Sequence, residues 1–163
     1  MQIRLVEDNL SQLSQLRASV LRLENTEYEL IGGHVRHVLD HYHQFLMGLE
    51  TGCVNYDNRS RDFEVEVSKL RADQYFEAVD NALTAIISNP SPDRSELFIE
   101  CSTNHVISSQ RISSTVPREL QFLHSHTVHH MALIRTILVE RGVPCDSEFG
   151  VAPATLAHQR SAA

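Results

Sequence analysis

Apolar residues recur at three- and four-residue steps in four separate stretches of this chain, and that repeat leaves few folds open to it. Leu10, Leu13, Leu16, Val20 and Leu23 mark a first helix over about residues 9–25, with Asp8 or Ser11 as its cap. Ile31, Val35, Val38, Leu39, Tyr42, Phe45, Leu46 and Leu49 form the apolar face of a second, which Thr51-Gly52 ends. Leu70, Tyr75, Phe76, Val79, Leu83, Ile86 and Ile87 define a third over about 68–88, stopped by Asn89-Pro90-Ser91-Pro92-Asp93. Ser114 or Thr115 caps a fourth with Pro117 in its first turn, and it runs to about Glu140 before Gly142 and Pro144.

Four amphipathic helices bury their apolar stripes most simply against one another, so the expected fold is all-α, a four-helix bundle forming one domain over 1–163. Residues 52–67 are polar and lack helical periodicity, which predicts a long crossover that leaves the second and third helices parallel. Leu97–Ser102 and Gln110–Ser114 are rich in β-branched and small polar residues, with Thr103-Asn104-His105 between them. They predict a small β-hairpin before the last helix and no larger sheet. The tail from Cys145 to Ala163 reads as a packed extension with a frayed end.

Charge and composition exclude several functions. A formal net charge of −7 argues against nucleic acid, which demands a basic stripe. No stretch approaches eighteen uninterrupted apolar residues, and the N-terminus has no apolar signal region, so no membrane is expected and a cytoplasmic protein is. Three widely spaced cysteines without a CxxC pattern predict reduced thiols.

Ten histidines in 163 residues are the chemical signal. His126 and His130 stand one turn apart on the inward face of the fourth helix, with Leu123, Leu133 and Ile137. Such a pair, about 5–6 Å apart at Cβ, can chelate one ion from one side. His129 lies at the flank of that face and His124 points away. On the second helix His34, His37 and His41 fall within an arc of about 60°, while His43 faces the other way. A third imidazole from that helix would complete a three-histidine set with positions open to water or substrate. The wheel centres its apolar face nearest His34. Each histidine would otherwise need its own buried partner. Thr127 follows His126, so the glutamate of HExxH is absent, and there is no GxSxG. Glu119 and Asp40 are either carboxylates that fix an imidazole tautomer or solvated surface charges. Arg59 and Arg61, in the crossover, either meet a carboxylate-bearing thiol or substrate at the mouth of the site or form a surface ion-pair cluster with Asp57 and Asp62.

Ile31-Gly32-Gly33-His34-Val35-Arg36-His37, then Val38-Leu39-Asp40, then a distant HxxxH on the last long helix, resembles the DinB/YfiT-like family of metal-binding four-helix bundles, which is unrelated to the polymerase called DinB. The resemblance spans the whole domain. It implies an up-down-down-up bundle and a metal site made by His37, His126 and His130. It also implies a metal-dependent enzyme that activates a thiol or water, a thiol S-transferase before a hydrolase, with bacillithiol, mycothiol or glutathione as the co-substrate. Many relatives follow the final histidine with Arg-Gly-Gln, where this chain has Met131-Ala132-Leu133. Histidine ligation suits zinc or nickel, and also iron, cobalt, manganese or copper. A small-molecule substrate or thiol is the expected partner, with a homodimer open. The competing reading is a non-catalytic metal-binding stress-response bundle.

Overall fold

A computed structural model describes residues 2–88, 96–102 and 109–162. Among them are seven helices and three strands, in the order α1 (Gln2–Arg22), α2 (Asn25–Glu29), α3 (Gly32–Thr51), β1 (Cys53–Asn55), α4 (Phe63–Val67), α5 (Lys69–Ser88), β2 (Glu96–Ser102), β3 (Ser109–Thr115), α6 (Val116–Glu140) and α7 (Pro153–Ser161). The protein is mostly helical. The four periodic stretches are the four long helices α1, α3, α5 and α6. Leu13 and Leu16, Leu39 and Phe45, Phe76 and Leu83, and Leu120 and Leu123 carry one pair from each into a common core.

Helix α1 packs on α5 and α6, and α3 packs on the same two. Contacts along their lengths set the directions. Arg17 in α1 pairs with Asp73 near the start of α5 at 2.6 Å, and Lys69 donates to the Leu23 carbonyl, so α1 and α5 are antiparallel. Tyr75 donates to Asp40 early in both α3 and α5, while Leu49 and Glu50 share a groove with Ala85 and Ile86 at the other end. Those two helices therefore run parallel. His34 beside His130 and His41 beside His126 make α3 and α6 antiparallel.

The crossover is more structured than its polarity suggested. Gly52, at φ 75°, caps α3 in the left-handed conformation and turns the chain back. A Cβ at Gly48 would stand 2.3 Å from Val54 Cγ2, and one at Gly32 only 1.9 Å from the Glu66 carbonyl oxygen. These two glycines, one near each end of α3, let β1 and α4 lie directly on that helix. The segment from Tyr56 to Arg61 is thereby held along the face that bears the histidines.

Several expectations need correction. The sheet is not a hairpin alone: β1 pairs in parallel with β2, which pairs antiparallel with β3, in the order β1-β2-β3. A three-residue strand with only Val54 buried has too little alternation to be seen in sequence. Helix α1 starts at Gln2, so Asp8 and Ser11 lie inside it and cap nothing. It ends at Arg22, because Glu24 and Glu27 form a capping box that begins α2. Leu133 is 37% exposed and leaves the inward face of α6. The tail forms α7 instead of fraying. Thr115 caps α6, its hydroxyl accepting from the Arg118 amide at 3.3 Å. The breakers Asn89-Pro90-Ser91-Pro92-Asp93 and the hairpin residues Thr103-Asn104-His105 lie outside the described residues. Among the described residues, no helix is long and apolar enough to cross a membrane.

Candidate metal centre

Five imidazoles converge where α3 crosses α6. His34, His37 and His41 come from successive turns of α3, and His126 and His130 from adjacent turns of α6. Ring centroids lie 4.6 Å apart for His37 and His130, 4.6 Å for His126 and His130, and 5.1 Å for His37 and His126. One ring nitrogen from each of His37, His126 and His130 lies within 4.8 Å of the other two. His129 is exposed on the flank, edge-on to His130, and His43 stands on the α5 side against Tyr75. His124 lines a groove beside α1.

The cluster's hydrogen bonds are incomplete. His41 donates Nδ1–H to the His37 carbonyl at 2.7 Å, which leaves its Nε2 as the lone-pair nitrogen. His34 Nδ1 and His130 Nδ1 are 3.0 Å apart, so one of the two carries the shared proton. When His130 donates, its Nε2 keeps a free lone pair and His34 serves as the orienting acceptor that a carboxylate often supplies. His126 Nε2 is buried without any hydrogen-bond partner. A buried polar atom with nothing to bond is costly, and a cation is one group that satisfies a lone pair.

Electrostatics favours the ligating form. Burial, reinforced by the charge of neighbouring histidines, pushes His37 down to about 3. The same burial lowers His126 and His130 to about 4 each, and His41 also to about 4. His34 is lowered by burial as well, with His129 adding to it. All five are neutral near pH 7, as metal ligation demands. The residues present therefore fit a bound divalent transition ion.

Aromatic side chains wall the cluster. Tyr56, from the crossover, stacks on His41 at 5.3 Å, Phe122 stacks on His126 at 5.4 Å, and the two touch each other at 5.2 Å. Tyr56 donates to Glu119 at 2.8 Å, and burial keeps its phenol protonated for that role. Glu119, fully buried, also accepts from Ser114 on β3 at 2.5 Å and from Arg118 at 2.9 Å. Asp40 is buried too, held by Arg36 at 3.0 Å and Tyr75 at 3.3 Å. Neither carboxylate is a solvated surface charge, and neither bonds an imidazole. Glu119 instead ties the sheet, α6 and the crossover together around Tyr56.

Tyr56 and Phe122 were not singled out as site residues from sequence. Phe122 stands one turn before His126, and Tyr56 is an aromatic residue inside a polar run; both signals were available. The ion-pair cluster weighed for Arg59 and Arg61 does not form. Asp62 binds Arg71 at 3.1 Å, Asp57 accepts from the Ser102 amide at 2.8 Å, and Arg59 donates to the Tyr56 carbonyl.

No protein-family model matches the chain. No solved structure matches it significantly. A curated protein that does match is FK506-binding protein 5 of Rhizopus delemar, 32% identical over 107 residues. The match covers 64% of this chain and 27% of that protein, so the chain spans about a quarter of the relative's length.

Proposed function

We propose that the chain is an up-down-down-up four-helix bundle of the DinB/YfiT-like kind and a metal-dependent enzyme, with His37, His126 and His130 holding one divalent transition ion. The carrying observation is the convergence of three neutral imidazoles within 4.8 Å, one of them offering a buried nitrogen with no partner. The contact-derived helix directions support the bundle, and the order of the histidine motifs supports the kinship. A bound ion would supply Lewis acidity, lowering the pKa of a thiol or water so that a nucleophile exists at neutral pH. The chain's own residues hold the ligand rings in place. His34 orients His130, the His37 carbonyl orients His41, and Tyr56 and Phe122 shield two rings from water. A thiol S-transferase is preferred to a hydrolase on the family resemblance.

The relative is named for the binding of FK506. Nearly three quarters of its length lies outside the match, so the name does not carry that activity to this segment.

The test is metal content by elemental mass spectrometry on tag-free protein beside a His126→Ala/His130→Ala variant. Near one equivalent of a transition metal in the first and little in the second is expected. No metal in either after reconstitution overturns the proposal. A panel of low-molecular-weight thiols and electrophiles then examines turnover by the loaded protein, and none at saturation rejects the enzyme reading.

A further inference from the structure

We propose that Arg59 is the anion-binding group of the histidine site, and that the small molecule handled there carries a carboxylate. The inference rests on the reading of the histidine cluster as a working site, and it names the class of compound that the site takes.

Arg59 is half-buried in the crossover, where Gly48 and Gly32 press the chain onto α3. One N–H of its Nη1 goes to the Tyr56 carbonyl, on the residue whose ring stacks on His41. Its Nε is buried with no acceptor at all. Among the described residues it makes no ion pair, although a guanidinium stays charged at every accessible pH. Burial disfavours that charge, and its presence in turn helps to depress His37, His41 and His126. Its bond to the Tyr56 carbonyl, on the residue whose ring stacks on His41, sets the guanidinium beside the cluster.

The neighbouring carboxylates are already committed. Asp40 is taken by Arg36 and Tyr75, Asp57 by the Ser102 amide, and Glu119 by Tyr56, Ser114 and Arg118. Asp40 and Asp57 act on the Arg59 charge from a distance, but neither bonds it, and a partly buried guanidinium with an unmatched N–H gains from a directly bound anion. With Nη1 occupied, the edge formed by Nε and Nη2 is the free one. Two parallel N–H groups on one edge match the two oxygens of a carboxylate. Arg61, exposed and at φ 51°, takes no part.

The test titrates succinate into the protein, with succinamide as the neutral control and inorganic phosphate as the competing oxyanion. Binding is followed through the Arg Nε–H and histidine ring resonances. Saturable shifts with succinate, none with succinamide and weaker ones with phosphate are expected. Arg59→Gln should weaken succinate binding by about thirtyfold or more, and Arg59→Lys by less, because it keeps the charge and loses the fork. Equal succinate binding by Arg59→Gln, or none by the unaltered protein, overturns the proposal, and tighter phosphate binding overturns the carboxylate assignment. Metal content separates the two readings. It should be unchanged in Arg59→Gln, whereas absence of metal from the unaltered protein counts against the metal centre and leaves the succinate result to decide Arg59.

Discussion

Two polar clusters lie back to back across the α3–α6 contact, and they obey opposite rules. On the α1 side, Asn9 donates to the Leu5 and Leu120 carbonyls at 2.7 and 3.1 Å and accepts from Tyr42 at 2.6 Å. Tyr42 also contacts Thr127 at 3.2 Å, and Thr127 donates to the Leu123 carbonyl at 2.8 Å. Gln12 reaches Met131 Sδ at 2.8 Å. Tyr42 and Thr127 each follow a site histidine in sequence, so the same two helices present both clusters on adjacent faces. The first is closed on itself and fixes how α1, α3 and α6 register. The second contains His126 Nε2 and Arg59 Nε, two buried nitrogens without partners. A buried polar group whose bonds are complete belongs to the architecture, and one whose bonds are missing has room for a ligand or an ordered water.

Acid gives the largest effect that sharpens this contrast, because it acts on four rings together. In metal-free protein His37, His41, His126 and His130 titrate at about 3, 4, 4 and 4, below the value of about 6.5 for an unfolded histidine. Between those values the unfolded chain binds more protons than the folded one, so stability rises with pH. Their contribution is complete above about pH 6.5 and is lost as pH falls from there through 4 to 3. Urea midpoints measured at pH 7.5, 6 and 5 should drop in that order. A flat profile would show that the rings are already protonated or solvated.

The closed cluster should respond next. Asn9→Ala leaves Leu120's carbonyl and Tyr42's hydroxyl each short of a partner, and should cost about 2–3 kcal/mol in urea denaturation. The smallest effect has the opposite sign. His126→Leu in metal-free protein removes a buried unsatisfied nitrogen and should be neutral or stabilising by about 1 kcal/mol. If it destabilises as much as Asn9→Ala, the two clusters are alike and the contrast fails.

The sequence exposed the helices because 3.6-residue periodicity survives wherever one face is buried. It concealed the closed cluster for the same reason. Asn9 fills the gap in the Val6, Leu13, Leu16, Val20 stripe, and Thr127 continues Leu120 and Leu123, yet a pattern built on apolar residues passes over both. Starting the stripe at Leu10, without Val6, also delayed the inferred start of α1. In the site, spacing alone brought His126 and His130 together and left the α3 partner open. The wheel favoured His34, which the structure sets against His130, while the family resemblance favoured His37, which stands within the three-nitrogen group. Nothing local marked β1, whose partner is remote.

That remoteness bears on assembly. Val54 pairs with Ile99 and Asn55 with Glu100, a separation of 45 residues, through a strand too short to order by itself. Loop closure over such a distance slows the forming of a contact, while the helices propagate from near neighbours. The pairing of β1 with β2 is therefore expected to form later than the contacts of the crossover with α3, which lie nearer in sequence.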